Sequence, residues 1–144
     1  MVYILFLNKT GDQQERNDVN YIMEDKENNL WFCTSKGVSR LDNKSGHFDP
    51  SSTVFVNYSE ESGLASNHVW AAVQDNEGLI VFGTCDGLSK LVADEDQKNG
   101  FQFSNSKLGL SHNVVMTIIQ DKSGVFWIGT ENGLTSYNPN VPQG

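Results

Sequence analysis

Apolar and polar positions along the chain follow a pattern that occurs three times. Segments 17–42, 67–92 and 113–138 align over 26 positions without a gap, and their starts lie 50 and 46 residues apart. Within each segment, short apolar runs are separated by polar turns, as in VWAAV, IVFGT and LSKL of the middle copy. A repeat of about 45–50 residues made of short strands is typical of a β-propeller blade. The sequence therefore predicts an all-β chain that contains three antiparallel blades.

Each copy is predicted to supply an inner, a second and a third strand. The first runs, such as Val69–Val73 and Val114–Ile119, are apolar on both sides, which favours strands buried on both faces. A tight turn follows each run. The position that needs a positive φ angle holds Gly78 or Gly124, and Asn28 in copy one, because Asn tolerates that conformation better than other non-glycine residues.

Two aromatic-rich alternating stretches, 54–58 and 101–104, are predicted to be outer strands. Copy three instead runs into NPNVPQG, whose prolines disfavour a fourth strand. The prediction is a single propeller-type domain, 1–144. Its parts are an N-terminal strand with a linker (1–16), blade 1 (17–58), blade 2 (67–104) and blade 3 without its outer strand (113–138).

Three blades are too few to close a ring, because propellers typically carry about 4–8. We therefore expect a homodimer that closes as a six-bladed propeller of four-stranded blades. In this arrangement Val2–Leu7 of one chain supplies the missing outer strand of the partner's third blade. The alternative is that the chain is a fragment of a longer propeller.

Several residues that recur at equivalent repeat positions are interpreted as structural. An Asp that opens the first turn can accept backbone N–H bonds, Thr can bond across the blade, and Gly ends the second turn. Tryptophans in mid-strand among apolar neighbours are expected to pack between blades. The set is Asp25, Asp75, Asp121, Thr34, Thr84, Thr130, Gly37, Gly87, Gly133, Trp31 and Trp127.

The motifs DxxG, WIGTxxGL and the lead-ins SGLASN and LGLSHN resemble the repeats of two-component regulator propellers. The resemblance covers Ser62–Val92 and Leu108–Asn138, and Asn17–Asp42 without the Gly-Leu lead-in. It implies a sensor domain of bacterial hybrid histidine kinases that binds a ligand, often carbohydrate-related, and signals by dimer rearrangement. The chain departs from the family in having only three blades and neither a kinase nor a membrane-spanning segment.

Charge and composition narrow the possible partners. The chain has 18 acidic and 10 basic residues, a net charge of −8, and no Lys/Arg cluster, which argues against nucleic acid as a partner. No stretch reaches the roughly 20 apolar residues of a membrane span, so no membrane partner is expected. Cys33 and Cys85 lack metal-ligand spacing and are expected to be free thiols. Without a signal segment, we expect a periplasmic location if the chain is part of a sensor, and a cytoplasmic one otherwise.

A ligand site is expected where the loops feed the inner strands, at the mouth of the central channel. His68 and His112 flank the repeated Asn, and Trp70 replaces the Asn20 and Met116 of the other copies. The alternative interpretation is that these residues have a purely structural role and cap the starts of the strands. The candidate ligand-binding residues are Asn17, Asn67, His68, Trp70, His112 and Asn113.

The leading functional hypothesis is a non-enzymatic binding or sensor module for a small molecule, possibly a carbohydrate, or for a protein. No catalytic constellation, metal site or cofactor motif is present in the sequence. One alternative is a metal-dependent enzyme, since NNLWFCT is similar to repeats of streptogramin lyases and related lactone hydrolases. A purely structural assembly module is the other alternative.

Overall fold

The computed structural model describes residues 18–42, 49, 53, 55–93, 101–107 and 109–142. These residues form three antiparallel sheets and one short 3-10 helical turn, Glu60–Ser62. Sheet 1 contains β1 (Val19–Glu24), β2 (Leu30–Thr34), β3 (Gly37–Leu41) and β4 (Phe55–Tyr58). Sheet 2 contains β5 (Val69–Gln74), β6 (Ile80–Thr84), β7 (Gly87–Ala93) and β8 (Phe101–Ser106). Sheet 3 contains β9 (Val115–Gln120), β10 (Phe126–Thr130) and β11 (Gly133–Tyr137).

The strands of each sheet are paired in chain order, so every sheet is a meander. The first strands of the three sheets contact one another, β1 with β5 and β5 with β9. The sheets therefore converge on their first strands, as propeller blades converge on an axis. This arrangement confirms the predicted all-β propeller architecture, and the three sheets are blades 1, 2 and 3.

The turns have the predicted backbone conformations. Asn28 has φ 67°, and the equivalent Gly78 and Gly124 have φ 88° and 86°. These angles lie in the left-handed region, where a side chain other than that of Asn or Asp is strained. The short apolar runs and the turn chemistry thus specify the same hairpin in all three copies.

Two hydrophobic clusters hold the blades together. The first joins Trp31 and Cys33 of blade 1 to Phe82 of blade 2, and the second joins Val81 of blade 2 to Ile128 of blade 3. We call the side of a blade that packs on the following blade its forward face, and the opposite side its rear face. Trp31 and Val81 occupy the same repeat position, so both clusters bring a forward face against a rear face.

The expected burial of the inner strands on both faces is correct only for β5. In β9, Met116, Thr117 and Ile119 are exposed, and in β1, Ile22 is 58% exposed. Only blade 2 has neighbours on both sides among the described residues, and an inner strand needs two neighbouring blades to be covered. The apolar pattern shows that an inner strand can be buried on both faces. Whether it is buried also depends on a neighbouring blade on each side.

Sheet 3 has three strands among the described residues, and the absence of an outer strand from blade 3 stays a prediction. The predicted N-terminal strand, 2–7, and the segment 1–16 lie outside those residues. The strand exchange and the homodimer therefore stay predictions. No helix in the described part of the chain is long and apolar enough to cross a membrane.

Candidate functional site

The Asp at the first turn of each blade is a hydrogen-bond hub that closes the hairpin. Asp25 Oδ1 accepts the backbone N–H groups of Glu27 and Asn29, each at 2.9 Å. Its Oδ2 accepts the Asn29 side-chain amide at 3.1 Å and Trp31 Nε1 at 2.8 Å. Burial acts to raise the pKa of Asp25, but the bonds from Trp31 and Asn29 outweigh it and hold the pKa below its ordinary value. The carboxylate is therefore part of the fold and is not available to a ligand.

The same set of bonds recurs in the other blades with fewer side-chain donors, because Leu79 and Val125 stand where blade 1 carries Asn29. Asp121 accepts Trp127 Nε1 at 2.8 Å, and this bond is the main cause of its lowered pKa. Asp75 accepts two backbone N–H groups, at 2.8 and 2.9 Å, but Val81 stands where the other copies carry Trp. Sequence reasoning foresaw the backbone bonds and missed the indole bond. The signal was present, because an Asp followed six residues later by Trp occurs in copies one and three.

We predict that Asp25→Ala costs about 2–4 kcal/mol of unfolding free energy, and Asp75→Ala about 1–2 kcal/mol. Both carboxylates are buried, but Asp25 also satisfies Trp31 Nε1 and the Asn29 amide. Because the pKa of Asp25 is lower in the folded state, its contribution is present above about pH 4 and is lost as the pH falls through the folded pKa. Urea unfolding at pH 7 and at a series of pH values below 4 measures both effects. Equal losses for the two variants at pH 7 would contradict the role given to the indole bond.

The Thr and Gly of the second turn form a second local unit. In all three blades the Thr hydroxyl donates to the carbonyl oxygen of the Gly three residues later, at 2.9 Å. The Thr oxygen also accepts a backbone N–H from inside the turn, as Lys36 shows at 3.0 Å. The Thr–Gly bond therefore lies within one hairpin, and Thr130, alone of the three among the described residues, also contacts the Ser111 hydroxyl, at 2.9 Å. These residues shape the second turn of each blade.

The inner strands share an irregularity that the sequence did not reveal. The pairing register with the second strand shifts at one position in each blade, so that Asn20, Trp70 and Met116 have no partner across the strand pair. Such β-bulges redirect a side chain and are frequent beside functional sites. The three bulged residues differ in type, although their positions in the repeat are identical. We call Asn20, Trp70, Met116 and the adjacent His68 the bulge site.

Within the bulge site, His68 and Trp70 form a stacked pair. Their ring centroids are 4.5 Å apart and their planes are inclined by 25°. Trp70 Nε1 donates to the Cys85 sulfur at 3.4 Å, a contact that sequence reasoning missed. His68 Nε2 is buried and has no hydrogen-bond partner in the part of the chain that the structure describes. A buried polar atom without a partner costs about 1–3 kcal/mol, so the described residues leave this nitrogen unsatisfied.

The bulge site continues onto the two neighbouring inner strands. The Asn20 amide donates to the carbonyl oxygen of Val69 at 2.8 Å and so ties β1 to β5. Met116 on β9 is 45% exposed. Adjacent inner strands thus carry one aromatic surface, one flexible apolar side chain and one polar nitrogen.

The other predicted ligand residues are only partly brought to this site. His112 Nδ1 accepts the backbone N–H of Val114 at 3.1 Å, as Ser66 Oγ accepts that of His68 at 3.2 Å. His112 and Ser66 occupy the same repeat position, so the His112 ring fixes the start of β9. Such a cap is the structural role that the sequence left open for this residue.

The repeated asparagines are engaged in local contacts or fall outside the description. The Asn67 side-chain oxygen accepts the backbone N–H of Glu60 at 2.7 Å, and the Asn67 backbone N–H donates to the Glu60 carboxylate at 2.9 Å. The Asn113 carbonyl accepts the N–H of Gly87 at 2.7 Å and joins blades 2 and 3. Asn17 lies outside the described residues. The ligand-facing role of these residues stays a prediction.

Over the described ranges, no group of three or more His, Cys, Asp or Glu side chains lies close enough to hold a metal ion. Cys33 and Cys85 are free thiols. Burial raises the pKa of Cys33 to about 12. Cys33 is thus held as a neutral apolar side chain between blades 1 and 2.

Two segments of the chain match a known protein family. Residues 14–36 and 109–132 match the family described as "two component regulator propeller". These two segments are similar to two component regulator propeller repeats. The matches fall on copies one and three, while copy two aligns with them without a gap but has Val81 in place of the Trp.

Solved structures that are similar in shape to this chain include extracellular domains described as parts of two component systems. The extracellular domain described as that of the hybrid two component system BT3049 from B. thetaiotaomicron has a TM-score of 0.66 and 22% identity. The similarity covers 86% of this chain and 16% of that one. The extracellular domain of BT4673 from the same organism has a TM-score of 0.68 and 25% identity, with coverage of 91% and 19%. The chain thus spans less than a fifth of the length of either protein. None of the curated proteins compared with the chain matches it.

Proposed function

We propose that this chain is a non-enzymatic, ligand-binding part of a sensor propeller. We further propose that the bulge site binds a small neutral molecule with a ring, of which a carbohydrate is the favoured class. The observation that carries the proposal is the His68–Trp70 pair with its buried, unpartnered His68 Nε2. The regulator propeller repeats and the extracellular sensor domains of similar shape support a sensing role.

The chemistry of the bulge site favours this class of ligand. Small-molecule sites combine aromatic and apolar surfaces with a few polar groups that fix orientation. Trp70 and Met116 provide the apolar surface for a ring face, and His68 Nε2 can accept a hydroxyl proton or donate to a ligand oxygen. The net charge of −8 disfavours an anionic ligand at long range. A sugar ring offers an apolar face and hydroxyl groups at its edge, and so matches both features.

The experiment is calorimetric titration of the protein with a panel of neutral oligosaccharides, with Trp fluorescence as a second readout. For a sugar that binds, we expect His68→Ala and Trp70→Ala each to weaken the affinity about tenfold or more, because each removes about 1–3 kcal/mol of contact energy. The matched control is His112→Ser, which removes a histidine but restores the residue that copy two uses in the same cap, Ser66. This control is expected to bind like the unchanged chain.

Two outcomes would contradict the proposal. A sugar that binds with equal affinity to the unchanged chain, His68→Ala and Trp70→Ala would place the site elsewhere. The absence of any heat or fluorescence change across the panel would remove carbohydrate as the ligand class.

We also propose that the chain acts outside the cytoplasm. The support is the printed description of both similar structures as extracellular domains. Fractionation of the source cells, with periplasmic and cytoplasmic marker proteins, tests this location. Recovery of the protein with the cytoplasmic marker would overturn it.

A further inference from the structure

The two covered interfaces between blades repeat the same apolar contacts. At the first, Trp31 on the forward face of blade 1 packs on Phe82 of blade 2, with ring centroids 5.7 Å apart. At the second, Val81, at the position of Trp31, packs with Ile128, at the position of Phe82. The forward and rear faces are therefore two halves of one contact that the chain uses twice.

A polar contact is repeated in the same way. The N–H of Lys26 in the first turn of blade 1 donates to Gln74 Oε1 at the end of β5, at 2.8 Å. The N–H of Asn76 in blade 2 donates to Gln120 Oε1 at the end of β9, also at 2.8 Å. Lys26 Nζ adds a bond of 3.4 Å to the carbonyl oxygen of Asp75. In both cases a turn N–H of one blade donates to a Gln side-chain oxygen on the inner strand of the next blade.

Among the described residues, no blade covers the forward face of blade 3 or the rear face of blade 1. On the forward face of blade 3, Ile119, Trp127 and Leu134 are 57%, 39% and 63% exposed, whereas the equivalent Trp31 is 1% exposed. On the rear face of blade 1, Val19 and Ile22 are 44% and 58% exposed. Contiguous apolar surface of this kind marks an interaction site on a soluble protein.

The donor of this polar contact on blade 3 and its acceptor on blade 1 both lack a partner blade among the described residues. The two side chains at these positions carry opposite charges. Lys122 in blade 3 occupies the position of Lys26, and its N–H has no hydrogen-bond partner among the described residues. Glu24 at the exposed end of β1 occupies the position of Gln74 and Gln120. A carboxylate can accept the Lys122 N–H as the amide oxygens do, and it can also pair with the Lys122 ammonium.

We propose that the occupant of the open forward face is a second copy of this chain. The rear face of blade 1 in one copy packs on the forward face of blade 3 in the other, and Lys122 meets Glu24 of the second copy. The contact occurs twice about a two-fold axis, and six blades lie within the range of closed propellers. The opposite charges of Glu24 and Lys122 favour a second copy, because the two uncovered faces of the described blades complement each other. This inference does not depend on the bulge site.

The test is sedimentation equilibrium on the full chain and on two charge reversals, Glu24→Lys and Lys122→Glu. The unchanged chain is expected at twice its 16.0 kDa mass. The first variant sets two ammonium groups against each other at both contacts of a homodimer, and the second sets two carboxylates against each other. Each variant alone is expected to dissociate with a Kd about tenfold or more above that of the unchanged chain. A one-to-one mixture of the variants restores opposite charges at both contacts, and it is expected to recover the original Kd.

The matched control is Glu77→Lys, an exposed charge reversal in the turn of blade 2, whose two faces are already covered. It changes the net charge as much as Glu24→Lys does and is expected to leave the mass unchanged. A monomer at all concentrations of the unchanged chain would overturn the proposal, and so would species larger than a dimer. Failure of the mixture to recover the dimer would overturn the pairing of Glu24 with Lys122.

Discussion

Trp31→Ala is expected to lower the unfolding free energy by about 3–5 kcal/mol, the range for removing a buried aromatic side chain. Trp31 is 1% exposed, stacks with Tyr58 at a centroid distance of 6.0 Å and contacts Phe82 of the next blade. Its indole N–H is held by Asp25 at 2.8 Å, and the Arg40 guanidinium lies 5.6 Å from the ring centroid. The substitution therefore removes apolar contacts from the interface between blades 1 and 2 and leaves the buried Asp25 carboxylate with one hydrogen-bond donor fewer.

Denaturant unfolding measures this loss, with Trp127→Ala as the matched control. Trp127 has the same repeat position and the same Asp bond, but it is 39% exposed. At protein concentrations where the chain is monomeric, Trp127→Ala is expected to cost about 1–2 kcal/mol of unfolding free energy. The cost is smaller because Trp127 buries less apolar surface than Trp31 does. If both variants lose the same unfolding free energy, the stabilisation by Trp31 does not come from the interface between blades 1 and 2. Trp31→Phe, which keeps most of the ring, provides a folded variant if Trp31→Ala does not fold.

Gly37→Ala is expected to cost about 3 kcal/mol or more and to displace β4. Gly37 has φ 112°, a conformation that alone costs an L-residue about 1–3 kcal/mol. A Cβ atom there would also stand 2.0 Å from the carbonyl oxygen of Tyr58, a backbone atom that cannot move without shifting the outer strand. Hydrogen exchange of the β4 amides reports the displacement, and thermal unfolding reports the loss of stability.

Gly78→Ala separates the two causes. Gly78 has φ 88°, but the nearest atom to an added Cβ is the end of the Gln74 side chain at 4.0 Å. Its cost is expected to be about 1 kcal/mol, and Gly78→Asn is expected to cost less, because Asn28 already occupies this turn position in blade 1. Equal losses for Gly37→Ala and Gly78→Ala would show that the contact with Tyr58 contributes nothing.

The repeat made the fold predictable, because each strand and turn was stated three times in the sequence. Asn28 could be placed in a left-handed turn since Gly78 and Gly124 stand in the same column. Burial was less predictable. Trp31 and Trp127 are the same residue in the same repeat, and only the presence of a following blade makes one 1% and the other 39% exposed. That difference depends on where a residue's blade stands in the stack, which the local pattern does not encode.

The candidate site was predicted in part. Trp70 was identified because it breaks the repeat, but the bulge that frees it from strand pairing comes from backbone geometry that the sequence pattern does not show. His68 and His112 looked equivalent as neighbours of the repeated Asn. The structure separates them, because His112 caps a strand in place of Ser66, whereas His68 stacks on Trp70. Comparing His112 with Ser66 by repeat position would have shown the difference from sequence alone.

The central claim is that the chain repeats one contact between blades and completes it with a second copy of itself. Light scattering on a sizing column tests this claim most directly, because it gives the mass of the unchanged protein in solution without a variant or a ligand. The account predicts a single species of twice the 16.0 kDa chain mass. A single species of 16.0 kDa that persists as the protein concentration is raised would contradict it.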